Sequence, residues 1–410
     1  MHDEHQSQDR DELPAVVVGT GGFDDHEDND NDTPDHQSPD PEPHDPEGRL
    51  SRLKQWFNER LTRKQLVIGG AVFVLLAGGG IAFALMHHPA PPKKPPVVAK
   101  QPPKPAPKPV ITSPLTGLPV TAAQAQQPVT GVMIENSDFA RPQSGLGSAG
   151  VVFEAIAEAG ITRFLALYQE AKPNNLGPLR SVRPYFLQWD MGFDASIAHV
   201  GGSPEALHDI NAWHARDIGE FAYSSYYHRI SSREAPHNMY TSMANLNAIE
   251  KLKGWTKSTF TGFPRKPDSP STSPNATIIN LNPSWSDFAV RYQYDAKQNA
   301  YLRWLAGVKH IDANTKKQLE PKVVIAIVVP YGLESDGYHS YYDTLGASKV
   351  YVFQDGTVTI GTWKKTSRTG QIQFLDSAGQ PIKLNAGQTW ITALGTASRV
   401  SYTGPAKPKQ

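Results

Sequence analysis

The feature that most constrains this chain is an uncharged apolar stretch, LVIGGAVFVLLAGGGIAFALM, at residues 66–86. About 20 consecutive apolar residues allow a helix to cross the hydrocarbon core of a bilayer. A cleaved signal peptide has a shorter apolar region near the N-terminus, whereas 65 mostly polar residues precede this one. The stretch therefore predicts a single transmembrane helix that separates the chain into two parts.

Charge predicts the orientation of that helix. Residues 49–65 carry six basic residues and one acidic residue, whereas the first lysine on the other side is Lys93. Because basic residues concentrate on the cytoplasmic side, we expect a cytoplasmic N-terminus and an extracytoplasmic C-terminal part at the cell membrane. Apolar residues also recur at helical spacing in the basic segment 49–65. This pattern fits an amphipathic helix on the inner leaflet or an N-terminal extension of the transmembrane helix.

Two low-complexity segments flank the predicted helix. Residues 1–48 hold 16 acidic residues and one arginine with few aromatic residues, a composition that predicts a disordered cytoplasmic tail. Residues 87–112 are rich in Pro and Lys and predict a semi-rigid spacer between the membrane and the outer part.

The absence of cysteine excludes disulfides, Cys-ligated zinc and thiol catalysis. No motif indicates a metal or another cofactor. The net charge of the whole chain is zero, and the outer part is only mildly basic, without clusters. Nucleic acid is therefore not expected as a partner.

The outer part predicts an α+β fold, with an α/β-like first half at 113–255 and a β-rich second half at 274–400. In the first half, two apolar runs around Ala159-Gly160 predict a hairpin, and Ser181 and Ser203 are candidate helix N-caps ahead of prolines. In the second half, Asp355-Gly356 between alternating runs predicts another hairpin.

Several arginines in the first half are candidates for binding a carboxylate or phosphate, because a guanidinium forms bidentate hydrogen bonds with such groups. Structural ion pairs with Glu135, Glu154 or Glu158 are the alternative. The candidates are Arg141, Arg163, Arg180, Arg183 and Arg233.

A second candidate site is the strand–Gly-Gly-Ser–helix sequence at Gly201, Gly202 and Ser203, where free amide groups of a first helical turn can bind an anion. A plain turn with an N-cap is the alternative. His199 precedes these glycines, and His237 and Asn238 lie in a Pro-punctuated loop. Either histidine is a candidate general acid or base, although a buried or surface role explains each as well.

The outer part contains seven segments in this order: VMIENSDFARPQSGL (132–146), FEAIAEAGITRFLALYQ (153–169), GPLRSVRPYF (177–186), HVGGSPEAL (199–207), APHNMYTS (235–242), FQDGTVTIGTWKK (353–365) and GQTWI (387–391). Together they resemble the YerB-like lipoprotein family of bacterial envelope proteins. The resemblance covers about residues 113–396 and implies an extracytoplasmic location and a two-part α+β fold, but no reaction and no catalytic residues. Proteins of this family are commonly held by a lipid on an N-terminal Cys, which this chain lacks.

Three hypotheses for the function follow. The first is a membrane-anchored module that binds an anionic envelope ligand, such as peptidoglycan or a wall polymer, through the arginines, Gly201, Gly202, Ser203 and Asn238. The second is an envelope hydrolase or transferase in which His199 or His237 works with Glu205 or Glu154. The third is a structural scaffold for an envelope protein.

Overall fold

The computed structural model describes residues 110–405, and all structural statements below concern that part of the chain. The predicted cytoplasmic tail, the basic segment, the predicted transmembrane helix at 66–86 and nearly all of the Pro/Lys-rich spacer lie outside the described residues. Among residues 110–405, no helix has the length and apolar character needed to span a membrane.

Strands outnumber helices in residues 110–405, which form a mixed α/β fold. The helices are α1 (Ala122–Ala125), α2 (Pro184–Met191), α3 (Pro204–Ala212) and α4 (Met243–Leu252). The strands are β1 (Thr130–Glu135), β2 (Val151–Glu158), β3 (Ile161–Tyr168), β4 (Ser196–Ala198), β5 (Arg216–Asp217), β6 (His228–Arg229), β7 (Met239–Tyr240), β8 (Arg265–Lys266), β9 (Ile278–Leu281), β10 (Val290–Asp295), β11 (Ala300–Leu305), β12 (Val308–Lys309), β13 (Val323–Val328), β14 (Tyr331–Leu333), β15 (Ser340–Tyr342), β16 (Gly346–Gln354), β17 (Thr357–Lys365), β18 (Gln373–Leu375), β19 (Leu384–Asn385), β20 (Thr389–Leu394) and β21 (Val400–Thr403).

One mixed sheet of ten strands organises the molecule, in the order β18-β17-β16-β13-β20-β2-β3-β1-β4-β5. Strands from both halves of the chain contribute to it. The central strand β20 is parallel to both of its neighbours, and Thr389 pairs with Val151 of β2 on one side and Val323 of β13 on the other. The predicted segments 113–255 and 274–400 therefore share one continuous sheet. A second, five-stranded sheet has the order β12-β11-β10-β9-β21.

Both faces of the ten-stranded sheet are covered, which explains why its central strands are buried along almost their whole length. Alternate residues of β1 enter different cores: Met133 packs with α2 and α3, whereas Val132 and Ile134 pack with α4 and the second sheet. Every residue of β1 and β2 is buried. Such burial contributes roughly 1.5–3 kcal/mol for each large apolar side chain.

The sheet ends in a small parallel unit, because β4 is parallel to both β1 and β5 and α3 connects β4 to β5. The carboxyl ends of parallel strands meet at one edge, and ligands of open α/β sheets bind outside such an edge. Glu135 ends β1, His199 follows β4 and Asp217 ends β5. The fold thus brings Glu135, His199 and Asp217 to one edge of the ten-stranded sheet.

The structure confirms several local predictions and corrects one. The β2–β3 hairpin turns at Ala159 and Gly160, whose φ angles are 45° and 77°, and Ser203 caps α3. The predicted Asp355-Gly356 hairpin is present, with β16 paired to β17. The Ser181 cap is wrong: α2 begins at Pro184, so its N-cap residue is Arg183, whose guanidinium has no acceptor atom for a cap hydrogen bond.

Candidate functional site

Glu135 lies at the edge where the parallel strands end, and Arg180 is positioned beside it by the backbone. The amide of Arg180 donates to the carbonyl of Met133 over 3.1 Å, and the amide of Val200 donates to the carbonyl of Arg180 over 3.1 Å. Arg180 is thus held between the end of β1 and the chain leaving β4. Its Nε lies 3.4 Å from Oε1 of Glu135, and its side chain is partly exposed.

Glu135 is a buried carboxylate that orients a histidine. Its Oε1 lies 2.8 Å from Nδ1 of His237 and accepts a hydrogen bond from the hydroxyl of Ser137 over 2.8 Å. Its Oε2 is buried and has no hydrogen-bond partner within residues 110–405. Because a carboxylate accepts, Nδ1 of His237 carries the proton, which leaves Nε2 as the ring nitrogen available to the surroundings.

His237 opens onto a cleft of about 810 Å³. The ring of Phe139 lies against the imidazole, with 5.2 Å between centroids. Of the sequence-predicted site residues, the cleft brings together Arg141, Arg233 and His237. Its lining consists of Asp138, Phe139, Arg141, Ser232, Arg233, Glu234, Ala235 and His237.

Arg141 braces one wall of this cleft. Its Nη1 pairs with the Asp138 carboxylate at 2.7 Å, and its Nη2 donates to the carbonyls of Asn136 and Asp287, each over 2.9 Å. Burial lowers the pKa of Arg141, while the charge of Asp138 works in the opposite direction. Arg141 therefore ties the loop after β1 to the second sheet, and its charge in the cleft is balanced by Asp138.

Arg233 and Asn238 fix the loop that carries His237. Nη2 of Arg233 donates to the carbonyl of Pro142 over 2.8 Å. The side chain of Asn238 accepts from Arg229 over 2.7 Å and donates to the carbonyls of Ile230 and Arg233. Asn238 is buried, so its amide shapes the loop and does not reach the cleft.

Arg163 and Arg183 form a buried ion-pair cluster on Glu158, one guanidinium on each carboxylate oxygen. Nη1 of Arg163 also donates to the carbonyl of Ser181 over 2.9 Å, and Nη1 of Arg183 donates to the carbonyl of Val182 over 2.8 Å. Burial lowers the pKa of Arg163 to about 10, so it stays charged at neutral pH. Both arginine side chains are at most 4% exposed, and the cluster therefore fixes the edge of the sheet from within.

His199 has partners on both ring nitrogens. Its Nδ1 lies 2.7 Å from the carbonyl of Gly201 and its Nε2 lies 3.0 Å from Oδ1 of Asp217, which also accepts from the amide of Gly219. Burial opposes ionisation of Asp217, but the hydrogen bonds and charge of His199 outweigh it and lower the pKa of that carboxyl. His199 is 3% exposed, so this arrangement is a buried polar pair closed to ligands.

Gly202 and Ser203 form the turn into α3. Gly202 pairs in a parallel bridge with Val182, and the hydroxyl of Ser203 accepts from the amide of Ala206 over 3.3 Å. Gly201 adopts φ +67°, the left-handed conformation that glycine allows most readily. These contacts match the plain turn with an N-cap, and binding of an anion at these residues stays a prediction.

Glu205 lies on the exposed first turn of α3, beside another carboxyl group. Burial, followed by the negative charge of Glu205, raises the pKa of Glu334. The structure thus places Glu205 against an acid, and the carboxylate that pairs with His237 is Glu135 rather than Glu205 or Glu154.

A fully buried network between the two sheets was not anticipated from the sequence. Arg303 pairs with Glu154 at 2.9 Å, lies 4.3 Å from the centroid of the Trp390 ring and donates from Nε to Nδ1 of His310 over 3.0 Å. Nε2 of His310 then bonds to Gln143 at 2.9 Å. Burial and the neighbouring charge of Arg303 lower the pKa of His310 well below its usual value, consistent with a neutral ring.

Two family models match most of the described residues. Models of the N-terminal and C-terminal domains of DUF3048, described as a protein of unknown function, match residues 115–256 and 279–391. The chain therefore belongs to the DUF3048 family.

Its resemblance to YerB is confirmed. YerB, a predicted lipoprotein of Bacillus subtilis (strain 168), is 30% identical over 285 residues, which cover 68% of this chain and 85% of YerB. A crystal structure of the B. subtilis YerB protein aligns with a TM-score of 0.64 at 29% identity, over 71% of this chain and 99% of that chain.

Proposed function

We propose that this protein is a membrane-tethered, extracytoplasmic binding protein whose Glu135–His237 cleft holds an anionic group of the cell envelope. The ligand is a carboxylate of a peptidoglycan peptide or a phosphate of a wall polymer. The observation that carries the proposal is the 2.8 Å contact between Glu135 and His237 at the wall of a cleft of about 810 Å³.

The chemistry of the contact favours an anion. The carboxylate of Glu135 accepts from Nδ1 and fixes the His237 ring. In the doubly protonated ring both nitrogens are donors, so Nε2 can then donate a charge-assisted hydrogen bond to an anion in the cleft. Arg141 and Arg233 line the same cleft, where Asp138 and Glu234 balance their charges and much of their hydrogen bonding goes to backbone carbonyls. His237 is therefore the proposed ligand-binding donor, and the arginines shape the cleft.

An envelope hydrolase or transferase is the second candidate, because a histidine oriented by a carboxylate is also the arrangement of a general base. Within residues 110–405, this candidate function lacks an activated nucleophile. The hydroxyl of Ser137 donates to Glu135 and lies 3.4 Å from Nδ1 of His237, on the side of the ring that faces away from the cleft donor Nε2. His237 therefore does not activate Ser137, and binding is the better-supported function.

The envelope location rests on two supports. The relative YerB is named as a predicted lipoprotein, which implies a membrane-held protein outside the cytoplasm. In this chain, the apolar stretch 66–86 is proposed to replace the lipid anchor, and the Pro/Lys-rich spacer to hold the folded part away from the bilayer. A phosphatase reporter fused after Gln410 should be active outside the cytoplasm, and activity of only a cytosolic reporter at that position would refute this topology.

Binding is tested by co-sedimentation of the full-length protein, in detergent micelles, with purified cell-wall fragments. His237→Ala should lose most of the bound fraction. His208→Ala is the matched control, because the His208 side chain is 76% exposed and lies outside the cleft. Equal binding by wild type and a folded His237→Ala variant would overturn the proposal.

A further inference from the structure

A second concave surface, the aromatic groove, shares no lining residue with the Glu135–His237 cleft. It has a volume of about 560 Å³ and lies where the β2–β3 turn, the β14–β15 hairpin and the loops after β9 and β20 meet. Three aromatic rings line it while remaining open to solvent: Trp285 is 64% exposed, Tyr338 51% and Tyr331 40%. Clustered exposed aromatic side chains mark binding surfaces more often than they serve stability.

Trp285 is held in place without being buried. Its indole Nε1 occupies the space above Gly160, where a Cβ atom would lie only 1.5 Å from it. The loop that carries Trp285 is fixed from both sides, because Ser284 donates to the carbonyl of Gly160 and Nη1 of Arg399 donates to the carbonyls of Asn282 and Ser284, over 3.1 and 3.0 Å. A large ring that is fixed yet two-thirds exposed is preorganised for a ligand.

Tyr331, which also lines the groove, is likewise held in place by its neighbours. Gly395 lies beneath it, since a Cβ atom there would lie 3.2 Å from Cβ of Tyr331. Behind it, the ring of Tyr342 lies 5.0 Å away and packs in turn on the buried Tyr185 at 4.9 Å. The hairpin therefore presents Tyr331 from a rigid aromatic stack.

The lining of the groove selects the chemistry of its ligand. Gly160, Gly337 and Gly395 contribute no side chains to its lining, which leaves the aromatic rings accessible. Within residues 110–405, Arg399 is the one charged residue that lines it, and no carboxylate does. A single cation is too few for a nucleic-acid backbone, and a lining without acidic groups does not suit a metal ion.

We propose that the aromatic groove binds a glycan strand, with pyranose rings stacked on Trp285, Tyr331 and Tyr338. The C–H faces of a sugar ring carry partial positive charge and pack on the electron-rich face of an aromatic ring. The Nη2 and Nε groups of Arg399, which donate to no protein atom in residues 110–405, are free to bond sugar hydroxyl or acetamido oxygens. This site stands apart from the anion cleft and does not depend on it.

The test is calorimetric titration of the full-length protein, in detergent micelles, with a soluble tetramer of β-1,4-linked N-acetylglucosamine. Trp285→Ala should weaken binding roughly tenfold or more, and Trp285→Phe should retain most of it, because a flat ring remains. Tyr341→Ala is the control, since Tyr341 is 46% exposed on the same hairpin but does not line the groove.

Each outcome decides between a glycan site and its alternatives. His237→Ala should bind the tetramer as wild type does, which separates this groove from the anion cleft. Absence of binding to the wild type, unchanged binding by both Trp285 variants, or equal weakening by Tyr341→Ala would overturn the proposal. If Trp285→Ala fails to fold, binding by the more conservative Trp285→Phe variant still tests the proposal.

Discussion

Nδ1 of His237 lies 2.8 Å from Oε1 of Glu135, although the two residues are 102 positions apart in the chain. Glu135 is the last residue of β1, and His237 lies in the loop before β7. The contact joins the sheet edge to a surface loop and orients one histidine toward the cleft. The proposed binding of an envelope anion depends on this contact.

Glu135→Gln should destabilise the fold and weaken wall binding together. The substitution removes the negative charge that faces both His237 and Arg180, inside a site where Glu135 is only 4% exposed. Loss of such a buried, charge-assisted contact costs roughly 1–3 kcal/mol. Urea denaturation measures the change, with the exposed Glu320→Gln as control. A stability equal to wild type would show that the pair is not formed in solution.

Arg303→Met should lower the free energy of unfolding more than most single substitutions in residues 110–405. It leaves Glu154 as an uncompensated buried charge, and breaking such a pair costs roughly 3–5 kcal/mol. The double variant Arg303→Met/Glu154→Gln should recover a large part of that loss in chemical denaturation. Arg291→Ala, at an exposed position on the adjacent strand β10, is the control. If the double variant does not regain stability, the loss caused by Arg303→Met comes from missing packing against Trp390 and not from the unpaired charge.

Asp190→Asn should stabilise the protein, and more so as the pH rises. Burial raises the pKa of Asp190 well above its ordinary value of 3.8, and its Oδ1 has no hydrogen-bond partner within residues 110–405. Above about pH 4 the unfolded chain has released this proton while the native state retains it, so native stability falls with rising pH until the native pKa is passed. Asparagine has no proton to lose.

The measurement is the difference in Tm between Asp190→Asn and wild type at pH values from about 4 upward. The difference should widen with pH, and Asp287→Asn, at an exposed position, should show no such trend. A constant difference would mean that Asp190 is ionised in the native state.

Gly160→Ala should disturb the aromatic groove. A Cβ atom there meets Nε1 of Trp285 at 1.5 Å, and Gly160 has φ +77°, so the ring must move and the turn is strained. We expect lower stability and weaker glycan binding. Adding Trp285→Ala should restore part of the stability but none of the binding. Full binding by Gly160→Ala would show that Trp285 does not contact the glycan.

Local patterns predicted the elements of the fold better than its contacts. The Ser203 cap, the β2–β3 hairpin and the Asp355-Gly356 hairpin follow from residues adjacent in sequence, and the structure confirms them. The sheet shared by both halves could not be predicted in this way, because local periodicity does not show that β20 pairs with β2. The partner of His237 was missed for the same reason.

The buried network around Arg303 did leave a signal in the sequence. Tyr301, Arg303 and Leu305 alternate along β11 and point to the same face, which places the arginine among buried apolar side chains. A charge on the apolar face of a strand predicts a buried partner. Which carboxylate it pairs with, Glu154 at a separation of 149 residues, is fixed only by the three-dimensional fold.

The proposed role of His237 is tested most directly by the NMR signal of its ring in the full-length protein, assigned with His237→Gln, during titration with soluble muramyl peptides and with glycerol phosphate polymers. If His237 is the donor that binds the envelope anion, its ring resonances shift in a saturable manner with at least one of these ligands while those of His208 stay unchanged. Saturable binding of either ligand without a shift at His237 would contradict that role.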